Sequence, residues 1–128
     1  MQRMASIQRS LNYRVLSIFA PILILAGILG FVAPPDLALT SGASPYNVFH
    51  LIFGALGCVV VFYTKQEEYI KIFNVGFGAI DLYQAFASFF DWFPKESFQW
   101  KRADDILHVV IGAGLVLVGV LGKRAYSK

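Results

Sequence analysis

Two histidines occur in matching local sequences, 58 residues apart. Each copy has an amide or carboxylate residue, then a histidine and a glycine: Asn47, His50 and Gly54 in the first, Asp105, His108 and Gly112 in the second. Imidazole binds haem iron and metals and can carry a proton near neutral pH. His50 and His108 are therefore candidate ligands. The alternatives are structural hydrogen bonds to neighbouring helices, a proton relay or contact with a pigment.

Asp81 is the second candidate, because it lies in the middle of an apolar segment. A lipid-exposed carboxylate at that depth costs on the order of 2.5–3.5 kcal/mol, so we expect Asp81 to face protein. Asn74 and Gly78 share its helical stripe. Two interpretations stay open. One is a protonated carboxyl group hydrogen-bonded to Gln84, Tyr83 or another helix, and the other is a proton or cation site.

Other kinds of catalytic chemistry have no support in the sequence. Cys58 is the only cysteine, which excludes a cysteine metal cluster. The chain has no nucleophile–base–acid set, phosphate-binding loop, zinc-peptidase helix or haem attachment motif. We therefore predict no catalytic residue, no metal site and a non-enzymatic protein.

The elements that carry these residues are apolar segments. The chain is 57% hydrophobic and 15% charged, whereas a soluble domain is about 25% charged. Its 128 residues are too few to bury so much apolar surface in water. Each segment approaches the roughly 20 residues that cross a bilayer. We predict an all-α, four-transmembrane-helix bundle over residues 15–122, with helices at 15–33, 48–63, 72–90 and 106–122.

The matching motifs predict how these helices are related. Two crossings separate them, so the two histidine helices run in the same direction, as in two parallel two-helix repeats. Asn47 and Asp105 lie where helix N-caps are expected. Small residues on the histidine faces are expected to let helices approach closely, and they are Gly54, Gly57, Gly112 and Gly114.

The distribution of positive charge predicts the orientation. Of the 11 lysines and arginines, three lie on one side, Lys95, Lys101 and Arg102, and the rest lie on the side of the two termini. The positive-inside rule then places both termini in the cytoplasm. We expect a basic, amphipathic cytoplasmic segment at 1–14 and a cytoplasmic tail at 123–128. Because the basic residues gather at helix ends and tails, no nucleic-acid partner is predicted.

The paired motif resembles a known pattern. Asn47-x-x-His50-x-x-x-Gly54 and Asp105-x-x-His108-x-x-x-Gly112 are similar to the motifs of a four-helix family of bacterial membrane proteins with no established activity. That family occurs in cyanobacteria and actinobacteria. The resemblance covers residues 15–122, and Asp105 stands where the family usually has asparagine. It implies a bacterial inner or thylakoid membrane.

The function predicted from these features is that of an accessory or scaffold subunit in a larger membrane complex, photosynthetic or respiratory. The expected partners are the lipid bilayer and other membrane subunits, and no cofactor is predicted. A dense aromatic run favours contact with lipid or with such a partner: Phe86, Phe89, Phe90, Trp92 and Phe93. The alternative is a haem-, metal- or proton-binding membrane protein that uses His50 and His108, or Asp81.

Overall fold

The computed structural model describes residues 10–122, and over that range the chain is helical and has no strand. The predicted all-α class is confirmed. The helices are α1 (Leu11–Val32), α2 (Ser44–Cys58, continued by the π-helical turns Val59–Thr64), α3 (Glu67–Phe90), the short α4 (Lys95–Phe98) and α5 (Arg102–Leu121). A 3-10 turn, Pro35–Leu37, lies between α1 and α2. Most of the segment predicted at 1–14, and the tail at 123–128, lie outside the described residues.

Each long helix begins four or five residues before the apolar segment that predicted it, which started at about 15, 48, 72 and 106. Hydropathy marks where apolar side chains begin, but helical hydrogen bonding begins at the cap. The hydroxyl of Ser10 caps α1 by accepting the Tyr13 N–H at 3.0 Å. Glu67 and Glu68 lie in the first turn of α3, where the helix dipole favours negative charge.

Within residues 10–122, three helices are long and apolar enough to cross a membrane: α1, α2 through Thr64, and α5. Their length and composition are compatible with an integral membrane protein. The 24-residue α3 is not one of the three. Its polar residues lower its hydropathy, yet those at the centre and end of the helix are buried: Asn74, Asp81, Gln84 and Ser88.

The long helices pack mainly in two pairs, α1 with α2 and α3 with α5. In the first pair, Gly54 of α2 lies against the backbone of Ala20 and Ile24 in α1. In the second pair, Gly112 of α5 lies against Gly78 and Leu82 of α3. A methyl group at either glycine would come within 3.1 Å of a backbone atom of its partner helix. The glycines thus set the closest approach within each pair.

The other two glycines predicted to pack differ from each other. Gly57 contacts Ala20 and lies close to Phe73, so it extends the packing surface of α2. Gly114 faces open space, with no atom within 4 Å of an added Cβ. The prediction for Gly114 is wrong, because two residues along a helix turn the side chain by about 200° away from Gly112.

The main apolar core lies at the end where α1 begins and α2 ends. It is formed by Leu16, Ala20, Leu23, Val61, Ile70, Phe73, Phe77 and Leu115. At the opposite end a smaller cluster joins Tyr46, Ala87 and Trp100. The candidate site lies at this second end, where α2 and α5 begin.

Candidate functional site

The starts of α2 and α5 bring Tyr46, His50, Asp104 and His108 together, a set called here the His–Tyr cluster. The Tyr46 hydroxyl and His108 Nε2 form a buried hydrogen bond of 2.8 Å. The Tyr46 ring also contacts both imidazoles, with centroid distances of 4.2 Å to His50 and 5.9 Å to His108. The two imidazoles are therefore closer than the about 12 Å expected for side chains at one depth on packed helices.

Asp104 holds the backbone around the His–Tyr cluster in place through hydrogen bonds. Its Oδ2 accepts the Lys101 N–H and the Ser41 N–H, each at 2.8 Å. It also interacts with the Tyr46 hydroxyl. The carboxylate caps α5 and at the same time ties the connector before α2 to α5. Burial of Asp104, only 1% exposed, is stabilised by these hydrogen bonds.

Sequence reasoning missed Asp104 and the role of Tyr46. An acidic residue at the third helical position is a known capping signal, and Asp104 occupies that position in α5. Tyr46 comes just before the apolar segment at 48–63, a position typical of interfacial aromatic residues. Because α2 begins at Ser44, Tyr46 lies within its first turn and points into the bundle, where it is 2% exposed.

The cap assignments for Asn47 and Asp105 are wrong. The N-cap positions are Ala43 for α2 and Lys101 for α5, which places both residues one turn inside their helices. Asn47 is buried, and its Nδ2 donates to the Gly42 carbonyl at 3.0 Å. The Asp105 N–H donates within the helix, to the Lys101 carbonyl. Since both helices start early, the amides that need capping precede these residues.

The two histidines have different surroundings. His108 is buried at 5% exposure and packs edge-on against Trp100. His50 is half-buried and lines a cavity of about 190 Å³ between the end of α1 and the following connector. The Nδ1 atoms of both rings are buried without a hydrogen-bond partner. Each histidine thus keeps one unused ring nitrogen inside the protein.

Shared ligation through both Nε2 atoms does not fit this arrangement. The Nε2 atom of His108 is taken by the Tyr46 hydroxyl, and the Tyr46 ring contacts both histidines. Among residues 10–122, no three His, Cys, Asp or Glu side chains are grouped so that they could hold a metal ion. A metal or haem iron between the two rings would require Tyr46 to leave its place.

Asp81 lies deep in the same interior, 4% exposed, and its Oδ1 accepts from Gln84 Nε2 at 3.1 Å. Tyr83 is not the hydrogen-bond partner of Asp81, because the Tyr83 hydroxyl donates to the Phe93 carbonyl at 2.6 Å. Asp81 is close enough to Tyr46 for the two groups to interact electrostatically. Gln84 Oε1 is buried without a partner. Asp81 and Gln84 thus form a buried polar pair on α3.

Two surface features lie at the same end. An exposed aromatic cluster lies at the end of α3 and just after it, and is called here the α3 aromatic cluster: Tyr83, Phe89, Phe90, Trp92 and Phe93. Trp92 stacks on Phe90 with centroids 5.1 Å apart, and it stacks on Tyr83 as well. Beside them, between α3 and α5, is an apolar groove of about 440 Å³.

No family model, curated protein or solved structure matches this chain. The resemblance to the four-helix bacterial family stays a prediction.

Proposed function

We propose that the protein is a small, non-enzymatic integral membrane protein that crosses the bilayer four times and serves as an accessory or scaffold subunit of a larger membrane complex. The observation that carries this proposal is the α3 aromatic cluster, which is exposed on the surface of the helices. Phe89 is 79% exposed and Phe93 is 81% exposed. Aromatic side chains are enriched in the buried centres of protein interfaces.

The proposal of a fourth crossing rests on α3. Its 24 residues span about 36 Å as an α-helix, more than the roughly 30 Å of the hydrocarbon core. Its buried polar residues face the other helices, while Ile72, Phe86 and Phe89 point outward. A helix that hides its polar stripe against protein presents an apolar surface to lipid. We include α3 among the spans for this reason.

The proposal of two parallel repeats is supported by equivalent contacts. Adding 58 to each residue of the first helix-pair contact gives the residue in the second: Ala20, Ile24 and Gly54 correspond to Gly78, Leu82 and Gly112. The correspondence therefore extends from the histidine helices to their partners. With four crossings and this duplication, the excess of lysine and arginine near the termini favours a cytoplasmic location for both ends, in a bacterial inner or thylakoid membrane.

The docking proposal is tested on protein extracted from native membranes in mild detergent. We expect the wild type to migrate in a complex much larger than its 14.2 kDa chain. The double variant Phe89→Ala, Phe93→Ala should be released from it. Tyr63→Ala is the matched control and should remain bound. Tyr63 is 83% exposed and lies in the π-helical turns that continue α2, at the opposite end of the helices. A wild type that extracts only as a monomer or homodimer would contradict the proposal.

A second candidate function is favoured by the unpartnered buried atoms near Asp81 and the His–Tyr cluster. The Nδ1 atoms of His50 and His108 are free to bind a proton, and the Asp81 carboxyl group, buried in the same helix bundle, is a second group that can bind one. In liposomes containing a pH-sensitive dye, Asp81→Asn should then abolish proton flux, whereas the exposed Asp91→Asn should not. Equal flux in wild type and Asp81→Asn would end this candidate.

Haem or metal binding by His50 and His108 has its own test. An absorption spectrum and metal analysis of protein purified from native membranes would reveal a bound group, and His50→Ala with His108→Ala should remove it. A colourless, metal-free protein that keeps its fold after both substitutions would exclude ligation.

A further inference from the structure

The two helix pairs differ at the end where α2 and α5 begin. In the first pair, Gly27 and Gly30 of α1 let α2 close onto α1. A Cβ at Gly27 would lie 2.7 Å from Leu51 Cγ, and a Cβ at Gly30 would overlap the Asn47 side chain. The side chains of Leu51 and Asn47 occupy the space between α1 and α2 at this level, and the cavity that remains beside His50 has a volume of about 190 Å³.

In the second pair the equivalent residues are larger on α3 and no larger on α5. Ala85 and Ser88 stand 58 residues after Gly27 and Gly30, and Asp105 and Val109 stand after Asn47 and Leu51. Here α3 and α5 leave the groove of about 440 Å³, which Ala85, Asp105 and Val109 line. That volume is within the range of small-molecule sites, roughly 300–1,000 Å³.

Asp105 gives the groove a chemical preference. It is the one ionisable residue among those lining the groove, and its Oδ1 is buried without a hydrogen-bond partner. Within residues 10–122, no lysine or arginine forms an ion pair with it. Asp105 is therefore the one charged side chain that a ligand in the groove can meet, and its negative charge favours a cationic head group.

The aromatic wall favours the same kind of occupant. Phe86, Phe89 and Phe90 line the groove opposite Asp105. Phenyl faces attract cations, and a carboxylate together with aromatic rings is a recurring receptor for ammonium groups. Phe86 is 58% exposed, so the groove is open along its side to the surrounding lipid.

We infer that the groove between α3 and α5 binds a membrane-dissolved amphiphilic cation, with its ammonium head at Asp105 and its apolar chain along Phe86, Phe89 and Leu82. Asp105 lies one turn from the start of α5, where a charged head can stay near the membrane surface while the chain runs inward. The groove shares Phe89 and Phe90 with the α3 aromatic cluster, but Asp105 lies outside that cluster, so Asp105→Asn tests cation binding without altering the docking surface.

The test uses the full chain in nanodiscs of phosphocholine lipid and a diazirine-bearing alkyltrimethylammonium as the probe. We expect saturable photolabelling confined to residues 82–90 and 105–109. Asp105→Asn should raise the half-saturating concentration by about tenfold, the usual weight of one charge-assisted contact. Asparagine occupies the equivalent position 47, so this variant should fold.

Two controls make the result decisive. Asp91→Asn removes a nearby carboxylate that is 81% exposed and paired with Lys95, and it should leave labelling unchanged. Ala85→Phe fills the groove and should abolish labelling while helicity is kept. Labelling that does not saturate, that is equal in wild type and Asp105→Asn, or that an alkylsulfonate probe of the same length reproduces would overturn the inference.

Discussion

At the scale of single residues, the decisive feature is a buried tyrosine between two histidines. The repeat pointed to His50 and His108 but could not show what lies between them, because Tyr46 has no counterpart of its kind in the second motif, where Asp104 stands. The burial of Asp81 followed from its depth and from the polar stripe of α3. Its bond to Gln84 was one of several alternatives, and only side-chain geometry separates them.

The Tyr46–His108 hydrogen bond should contribute measurably to stability. Tyr46→Phe leaves His108 Nε2 buried without its partner, which should lower the free energy of unfolding by about 1–3 kcal/mol. Tyr63→Phe, at an exposed position, should have almost no effect. Thermal unfolding in detergent measures both. In a His108→Phe background, Tyr46→Phe should cost much less, and an undiminished loss there would show that the bond is not the cause.

The Asp81 carboxyl group should act as a hydrogen-bond acceptor for Gln84. Asp81→Asn keeps an acceptor oxygen, so stability in detergent should change by less than about 0.5 kcal/mol, whereas Asp81→Leu should cost about 1–3 kcal/mol by leaving Gln84 Nε2 without it. Equal losses in the two variants would mean that the carboxyl group itself is required, which favours an ion or proton site.

At the scale of helices, apolar segments indicated which parts of the chain are helical but not where the helices begin. Starting points depend on capping groups in the polar flanks, such as Ser10 and Asp104. This error displaced Asn47 and Asp105 from the cap positions. For Gly54 and Gly112 the predicted packing surface agrees with the structure. Each of these glycines lies four residues after a motif histidine and therefore on the same side of its helix. Gly114 was misplaced because it was chosen for its size and not for its angle around α5.

Close packing within each helix pair predicts a sharp difference among glycines. Gly54→Ala and Gly112→Ala bring a methyl group against backbone atoms of the partner helix, which cannot move aside. Each should destabilise the protein by about 1–3 kcal/mol. Gly76→Ala and Gly114→Ala face open space and should be neutral or stabilising by up to about 1 kcal/mol. Equal melting temperatures for all four variants would remove this account of packing.

At the scale of the whole molecule, several polar side chains are buried beside the apolar core and many large apolar side chains are exposed, which is unlike a water-soluble protein. Asn12, Asn74 and Asp81 are almost fully buried, while large apolar residues such as Leu39 and Phe89 are exposed. The Asn12–Asn74 side-chain bond of 2.8 Å joins α1 to α3. Composition alone predicted a helical membrane bundle. Hydropathy could not decide whether α3 crosses the membrane. Polar residues lower the mean hydropathy of a helix whether their side chains face protein or lipid.

The central claim is that α3 crosses the membrane as the third of four spans, and site-directed thiol labelling of intact cells tests it most directly. In a Cys58→Ser background, single cysteines replace three exposed residues: Asp36 before α2, Gln66 before α3 and Ser97 after it. A membrane-impermeant maleimide should label positions 36 and 97 in intact cells and position 66 only after permeabilisation. If position 97 is labelled only after permeabilisation while position 36 is labelled from outside, α3 does not cross and the four-span account is wrong.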